Sequence, residues 1–246
     1  ELMKDIPDKS IDMVLTDPPY GTTACKWDSV IPFDKMWEQL NRITKSNGAI
    51  VLFGSEPFSS LLRCSNIDNY KYDWIWDKIT ATGMMTAKIM PMKEHEIISV
   101  FSNGGISYFP IMEKMLKPEK YRVYGKTDIW GGSELNHDTR VRDEKYPKSI
   151  LRYTNANHTN KFHPTQKPVD LLQYLIKTYT NEKETVLDFT MGSGSTGVAC
   201  KLTNRKFIGI ELDDYYFNIA KQRIENGFVQ EEISNEELDN LPIFQM

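Results

Sequence analysis

The hydrophobic and polar positions along the chain form short apolar runs separated by stretches with helical spacing. The apolar runs predict strands over 11–16, 49–53, 72–77, 96–101, 185–189 and 207–210. Apolar residues three and four positions apart predict helices over 33–44, 57–64, 168–179, 196–202 and 213–224, the last capped by Asp213 or Asp214. Because strands alternate with helices, the pattern indicates an α/β fold with a mostly parallel sheet.

The segment between about 103 and 162 breaks this pattern and fits neither the helix nor the strand period. It is aromatic and basic: residues 114–167 contain twelve Lys or Arg against six Asp or Glu, although the whole chain has a net charge of −4. A long irregular segment in a compact domain is usually functional or disordered, and the aromatic content favours function. We therefore predict an insertion over 107–160 between two halves of one domain, 1–106 and 161–246.

Composition sets further limits. The length of 246 residues suits one large α/β domain or one domain with an insertion. No apolar run approaches the ~20 residues that span a bilayer, and no signal peptide is visible, so we expect a cytoplasmic protein with no membrane partner. The three cysteines are too widely spaced for a disulfide framework or a zinc pattern, and we expect no metal. The chain begins without Met and in mid-pattern, which suggests that an N-terminal piece is missing.

The first candidate site is Asp17-Pro18-Pro19-Tyr20, directly after the predicted strand 11–16. Ligands of open α/β sheets bind at the carboxyl ends of strands. Two prolines present rigid carbonyl acceptors without neighbouring donors, Asp17 adds another acceptor, and Tyr20 offers a flat face. This combination suits a planar group with an exocyclic amine, such as a nucleobase. The simpler alternative is an ordinary Asp-Pro turn after a strand.

The second candidate site is a glycine-rich turn between the predicted strand 185–189 and the next helix. It contains Gly192-x-Gly194-x-x-Gly197 and lacks the lysine of a phosphate-binding loop. Glu211 follows about 20 residues later, at the end of the next strand, where an acid can accept both hydroxyls of a ribose. Together these features indicate an adenosine-containing cofactor. The simpler alternative for Glu211 is an acid that caps the following helix.

Together the motifs resemble those of DNA amino-methyltransferases that use S-adenosylmethionine (SAM). The resemblance rests on Asp17-Pro18-Pro19-Tyr20, on Phe189-x-x-Gly192-x-Gly194, and on His163-Pro164-Thr165-Gln166-Lys167-Pro168. With the catalytic motif first and the cofactor motif last, their order is that of the family's β class. The resemblance implies a Rossmann-like methyltransferase fold, with a mostly parallel seven-stranded sheet, one reversed strand and a target-recognition insertion. It makes 1–106 the catalytic half and 161–246 the SAM-binding half.

The resemblance also implies roles for single residues. Asp17 and the Pro18 carbonyl would accept the two protons of the target amine, Pro19 would stiffen the turn, and Tyr20 would stack on the extruded base. Glu211 would hold the ribose of SAM. The remaining SAM-binding candidates are Thr165, Gln166, Lys167, Asp188, Phe189, Gly192, Ser193, Gly194 and Thr196. Among these, Lys167 is a candidate for the methionine carboxylate, with a surface lysine at a helix start as the alternative.

These roles predict an enzyme that methylates adenine N6 in double-stranded DNA. Methylation of cytosine N4 shares the chemistry, and Asp rather than Ser at position 17 favours adenine. Methylation of a protein glutamine remains open, although that family usually carries Asn at this position and has the cofactor motif first. A catalytically silent nucleic-acid-binding subunit also remains open. A C5-cytosine mechanism is set aside because no cysteine follows a proline.

The predicted insertion supplies candidates for contacts to DNA. Arginine and lysine read base edges or bind phosphates, and the sequence does not sort these two jobs. The candidates are Arg122, Arg140, Arg142, Lys148 and Arg152. We also expect two protein partners, a second copy of the chain in a homodimer and a cognate restriction endonuclease.

Overall fold

The computed structural model describes residues 1–22, 28–122, 139–154 and 166–226. Its strands are β1 (Ile11–Thr16), β2 (Thr44–Gly54), β3 (Tyr70–Thr82), β4 (Lys93–Phe101), β5 (Glu113–Arg122), β6 (Thr139–Lys145), β7 (Ile150–Arg152), β8 (Thr185–Asp188) and β9 (Lys206–Gly209). Its α-helices are α1 (Phe33–Ile43), α2 (Phe58–Cys64), α3 (Val169–Tyr179), α4 (Ser195–Leu202) and α5 (Asp214–Asn226). Each helix and strand predicted from the sequence is present, β1 with the predicted ends and the others with one or both ends shifted.

Seven strands form one sheet in the order β7-β3-β4-β2-β1-β8-β9. All neighbouring strands run parallel except at β4, which is antiparallel to both β2 and β3. The predicted α/β fold, with a mostly parallel seven-stranded sheet and one reversed strand, is therefore confirmed. Because β4 runs backwards, its amino end lies at the same edge of the sheet as the carboxyl ends of β1, β2 and β3.

Both faces of this sheet are covered by helices. Met13 and Leu15 of β1 point to a cluster that contains the apolar side of α3 and part of α4. Ile11 and Val14 point to the other face, where α1 and Phe58 of α2 pack. Met13, Val14 and Leu15 alternate between the two faces with the two-residue period of a strand. Ile11 departs from that period because the pairing of β1 with β2 shifts register between Ile11 and Met13. Since each face buries apolar side chains, the sheet is a rigid base for residues at its edges.

Residues Glu1–Tyr108 and Ser149–Met246 form one compact unit, and Phe109–Lys148 forms another. In the second unit, β5 and β6 pair as an antiparallel ribbon, and its register shifts between Lys114 and Glu119, which brackets Pro118. Sequence reasoning predicted an irregular segment over 103–162, which is wrong because β5, β6 and β7 lie within it. Except for half-buried Met115, the described side chains of β5 are exposed, so no buried face imposes alternation.

The strand β7 also lies within the segment that the sequence predicted to be an irregular insertion. It pairs parallel with β3, Ile150 lying opposite Ile75, and it belongs to the main sheet. Its residue Leu151 is buried in the core beside Trp74 and Trp76. Arg152 therefore lies on the sheet and not on the basic ribbon.

Candidate active site at the carboxyl edge of the sheet

The two motifs meet at the point where the strand order reverses. β1 and β8 are parallel neighbours, β1 leads through α1 to β2 on one side, and β8 leads through α4 to β9 on the other. Such a switch point opens a crevice at the carboxyl ends of its two strands, where ligands of α/β sheets bind. The structure thus brings Asp17, which follows β1, next to the glycine-rich turn that follows β8.

Hydrogen bonds hold the two strand ends together. Thr16 Oγ1 lies 2.6 Å from both Asp188 Oδ1 and Thr190 Oγ1, and Thr190 Oγ1 donates to the backbone carbonyl of Asp17 at 3.1 Å. Thr196 Oγ1 donates to the second Asp188 oxygen at 2.6 Å. Burial raises the pKa of Asp188 to about 6, and these hydrogen bonds oppose that shift. The buried Asp188 carboxylate therefore links β8 to β1 and α4 through hydrogen bonds.

The turn after Asp17 is fixed in a defined conformation. Pro18 is buried, whereas Pro19 and Tyr20 are half-buried. The Tyr20 hydroxyl donates to Asp17 Oδ1, and its ring lies 5.0 Å from that of Phe58 at a tilt of 30°. Downstream, Asp28 accepts hydrogen bonds from the backbone N–H groups of Gly21 and Thr22 at 2.8 and 2.9 Å. Asp28 thereby fixes the backbone directly after Tyr20.

The Asp17 carboxylate also has a cationic partner. Lys167 Nζ donates to Asp17 Oδ2, lies 3.5 Å from Glu96 Oε2 and sits 5.1 Å from the centre of the Phe53 ring. The side chain of Lys167 is only 11% exposed, which excludes the alternative of a surface lysine at a helix start. Its predicted contact to the methionine carboxylate of SAM remains a prediction.

The pKa shifts of these groups follow from burial and from one another. Burial raises the pKa of Asp17, the Lys167 ammonium opposes this, and the Glu96 carboxylate adds to it. Burial alone would lower the pKa of Lys167, but Asp17 and Glu96 outweigh it and the pKa of Lys167 is raised. Lys167 therefore stays cationic at neutral pH, and it forms an ion pair with Asp17.

The glycine-rich turn packs closely against α5. A Cβ on Gly194 would lie 2.8 Å from Ala220 Cβ, and one on Gly197 would lie 2.3 Å from Ile224 Cδ1. Gly194 also has a φ of +80° at the start of α4, a conformation that favours glycine. These two glycines are therefore required for helix packing, in addition to any approach to a ligand.

The predicted cofactor residues converge on this turn. Glu211 accepts hydrogen bonds from the backbone N–H groups of Gly192, Leu212 and Asp213 at 2.8 to 3.0 Å. Asp213 in turn accepts from the N–H groups of Tyr215 and Tyr216, which confirms it as the cap of α5. The Glu211 carboxylate thus links the end of β9 to the glycine turn.

Further polar contacts surround Ser193, whose side chain is buried. Ser193 Oγ lies 3.4 Å from Gln166 Oε1, and it accepts from Arg223 of α5 at 2.9 Å. Burial lowers the pKa of Arg223 to about 10. Phe189 packs in the core below the turn, and Thr165 lies outside the described residues. The hydroxyl of Ser195 is buried without a hydrogen-bond partner. A carboxylate at the end of β9 and an unpaired buried hydroxyl in the glycine turn fit a polar, nucleoside-containing cofactor.

The predicted DNA-binding residues occupy two places. Arg122, Arg140 and Arg142 belong to the β5–β6 ribbon, and Lys148 is exposed just after it. Arg142 pairs with Glu119 at 3.4 Å, whereas the side chains of Arg122 and Arg140 lie outside the described residues. Arg152 of β7 is separate from the ribbon and donates to Asp77 of β3 at 2.9 Å.

Sequence reasoning missed Glu96 and Lys78, which extend the charges around Asp17. Lys78 of β3 is only 4% exposed, and its Nζ lies 3.5 Å from Glu96 Oε1. The strand beginning at Glu96 was predicted, but its reversed direction was not assigned from spacing. Had β4 been recognised as reversed, the acid near its amino end would have indicated a site residue, because that end lies at the same edge of the sheet as Asp17.

In the part of the chain that the structure describes, no group of three His, Cys, Asp or Glu side chains is arranged to hold a metal ion. Among the same residues, no helix is both long and apolar enough to cross a membrane.

Comparison with known proteins places this site in a family. Residues 11–222 match the family model described as DNA methylase. The type II methyltransferase M.HpaI of Haemophilus parainfluenzae is 28% identical over 92% of this chain and 72% of that protein. The DNA adenine methyltransferase YhdJ of Escherichia coli (strain K12) is 26% identical over 91% of this chain and 79% of its own length. The crystal structure of the M1.HpyAVI–SAM complex aligns with a TM-score of 0.59 and 25% identity, covering 90% of this chain and 92% of the other. The chain therefore belongs to the DNA methylase family.

Proposed function

We propose that the protein transfers a methyl group from SAM to the N6 amine of adenine in DNA. The observation that carries this proposal is the junction of β1 and β8, where Thr190 ties the backbone of Asp17 to the glycine-rich turn. A group held by the turn and a base held by Asp17 would meet at one crevice. The relative YhdJ is a DNA adenine methyltransferase and M1.HpyAVI forms a complex with SAM, which supports the choice of base and cofactor.

Glu211, the backbone of Gly192 and the hydroxyls near Ser193 would hold the cofactor. Glu211 would accept ribose hydroxyls while remaining anchored by the N–H of Gly192. The unpaired hydroxyl of Ser195 and the side chain of Gln166, which lies 3.4 Å from Ser193 Oγ, would add polar contacts to the cofactor. When bound, SAM supplies an electrophilic methyl group.

The target amine would be activated by acceptors of this chain. In adenine the N6 lone pair is delocalised into the ring, and hydrogen bonds to Asp17 and the Pro18 carbonyl favour the pyramidal form whose lone pair is free. The nitrogen gains the methyl group and loses one proton. Tyr20, whose ring is supported by Phe58, would stack on the extruded base. Positioning and fixed electrostatics of this kind account for much of an enzyme's acceleration.

DNA would be held by the basic ribbon of β5 and β6, which we propose as the target-recognition part within 107–160. Its charges suit the phosphate backbone and base edges. Removing an adenine from the duplex costs a few kcal/mol, and a separate recognition unit can supply binding free energy for that step.

The experiment is a methylation assay with isotopically labelled SAM and DNA of mixed sequence, followed by mass spectrometry of the released nucleosides. We expect labelled N6-methyl-2′-deoxyadenosine. Labelled N4-methyldeoxycytidine would instead support the alternative base. Label recovered as methylglutamine from a parallel reaction with added protein would support a protein substrate. SAM and DNA binding without any labelled product would indicate a catalytically silent subunit.

We further propose a homodimer and a cognate restriction endonuclease as partners. The homodimer is supported by an exposed apolar cluster between β3 and β4, which comprises Met84, Met85, Ile89 and Met90. Met85 is fully exposed at 100%, and exposed patches of this kind often mark interfaces. The endonuclease is supported by the type II description of the relative M.HpaI. It is tested with a source-cell extract, which should cut DNA that this protein has not methylated and spare DNA that it has.

A further inference from the structure

Four buried or half-buried charges form a chain of alternating sign that begins at the catalytic motif. Asp17 pairs with Lys167, Lys167 lies 3.5 Å from Glu96, and Glu96 lies 3.5 Å from Lys78. The side chains of Asp17, Glu96 and Lys167 are 21%, 18% and 11% exposed. Charges with so little contact to water are screened weakly, so each one affects its neighbours.

Lys167 lies closer to one of its two carboxylate neighbours than to the other. Its ammonium is in close contact with Asp17 Oδ2, whereas its distance of 3.5 Å to Glu96 Oε2 exceeds a normal hydrogen bond. Glu96 Oε2 is buried and makes no hydrogen bond. A buried anionic oxygen without a donor is costly, and a small movement of Lys167 would satisfy it.

The other Asp17 oxygen is also occupied, because it accepts from the Tyr20 hydroxyl. A target amine must therefore be accepted by a carboxylate that already has two donors. A carboxylate fully neutralised by a lysine is a weak acceptor for an incoming amine. The arrangement raises the question of what prevents Lys167 from neutralising Asp17.

We propose that Glu96 is a positioning residue that competes with Asp17 for the Lys167 ammonium and so keeps Asp17 available as a hydrogen-bond acceptor. Lys78 limits this competition, because it holds the other Glu96 oxygen. This inference rests on the proposed function of Asp17. It assigns Lys167 to control of the catalytic carboxylate, in place of a contact to the SAM carboxylate.

The alternating charges predict alternating effects on Asp17. Glu96→Gln removes the competitor, so Lys167 stabilises the Asp17 anion more strongly and the pKa of Asp17 should fall by about 1. Lys167→Gln removes the cation, so the pKa of Asp17 should rise by about 1 or more. Lys78→Gln removes the other cation beside Glu96, so Glu96 should attract Lys167 away from Asp17, and the pKa of Asp17 should again rise. The charged and titratable groups that face Asp17 or Glu96 are Lys167, Lys78, Lys93, Tyr20 and Asp188, and the two carboxylates also face each other. Asp28 faces Tyr20.

The test is an NMR titration of the protein labelled with ¹³C at aspartate carboxyls, with the Asp17 signal assigned by its loss in Asp17→Asn. Asp12→Asn is the matched control, because Asp12 forms a partly buried pair with Lys45 at 2.6 Å near the opposite end of β1. The control should leave the Asp17 titration unchanged. Opposite shifts in Glu96→Gln and Lys167→Gln support the proposal, and any other pair of directions, including no shift, overturns it.

A kinetic readout accompanies the titration. Glu96→Gln should lower the single-turnover methyl-transfer rate by about 3- to 10-fold and move the acid limb of its pH profile downward, with little change in KM for SAM or DNA. If Lys167→Gln does not fold, Lys78→Gln takes its place, because its expected shift is also upward. If Glu96→Gln does not fold, Glu96→Ala takes its place, because it also removes the competing carboxylate and its expected shift is downward. The titration needs no turnover, so it decides the proposal even if no DNA base is methylated. An inactive wild-type protein would count against the proposed function alone.

Discussion

At the scale of single residues, the site is marked by ionisable groups that the fold shields from water. Lys167 forms ion pairs with both Asp17 and Glu96. Asp188, at the end of β8, accepts hydrogen bonds from Thr16 of β1 and Thr196 of α4. Each of these ionisable groups tolerates burial because hydrogen bonds or an opposite charge accompany it. Their pKa shifts are therefore consequences of position, and they give testable dependences on pH.

Asp188 should make the folded state less stable as the pH rises through its titration. Its pKa is about 6 when folded and near 3.9 in an unfolded chain, so the folded protein binds this proton more tightly. The free energy of unfolding should therefore fall by roughly 3 kcal/mol between about pH 4 and pH 6 because of this group. Urea unfolding of the wild type and Asp188→Asn across this range measures it. Parallel pH curves for the two proteins would refute this role.

Glu211 should be the main carboxylate for SAM. Glu211→Ala removes hydrogen bonds to a charged acceptor, and SAM binding should weaken by ~1.5–3 kcal/mol. Calorimetric titration with SAM measures this loss. The control is Asp213→Ala, which removes the cap of α5 and should cost ~1 kcal/mol of stability while leaving SAM affinity intact. If folded Glu211→Ala binds SAM with unchanged affinity, Glu211 does not bind the cofactor, and its role is limited to its hydrogen bonds with the backbone.

At the scale of elements, the predictable parts are those with a buried face. The helix α1 was predicted because Met36, Trp37, Leu40 and Ile43 form one apolar side, which packs on the sheet. The ribbon of β5 and β6 was missed because its strands are exposed and highly charged, and exposed strands carry no alternation of apolar residues. Local pattern thus predicts elements that pack in a core and overlooks exposed elements such as this ribbon.

The ribbon should supply the salt dependence of DNA binding. Alanine at Arg122, Arg140, Arg142 and Lys148 together should weaken binding. The slope of log K against log salt should become shallower by ~0.9 for each DNA phosphate that the variant no longer neutralises. SAM affinity should persist, because the predicted SAM residues lie in the other compact unit.

Fluorescence anisotropy with labelled DNA across a salt series measures the slope. The charge-matched control replaces four exposed lysines outside the ribbon with alanine, namely Lys4, Lys35, Lys71 and Lys177. If both multiple variants change the slope equally, the ribbon has no special role and another surface holds DNA.

At the scale of the whole molecule, the order of strands explains why motifs about 170 residues apart in the sequence lie side by side. The sequence indicated the parallel sheet and the motifs at strand ends, and the family resemblance supplied their order. The ion pair of Asp17 with Lys167, and the position of Glu96 beside it, could not be predicted from local pattern. They depend on the reversed direction of β4 and on long-range packing.

The apolar cluster between β3 and β4 should mediate self-association. Replacing both Met85 and Ile89 with lysine places charges in a contact that would have to exclude water, so the dimer should dissociate. Sedimentation velocity at several concentrations measures the change. Leu202→Lys, at an exposed apolar site on α4, is the control and should leave association intact. A wild-type protein that is monomeric throughout would contradict the proposed dimer.

The central claim is that the crevice between β1 and β8 methylates adenine through Asp17. Its most direct test is single-turnover transfer of labelled methyl from SAM to DNA by the wild type and by Asp17→Ala, with SAM binding measured for both. We predict labelled N6-methyladenine from the wild type and a loss of at least ~10²-fold in the variant, because one preorganised electrostatic group is removed. SAM binding should remain. Near-native transfer by Asp17→Ala would contradict the account.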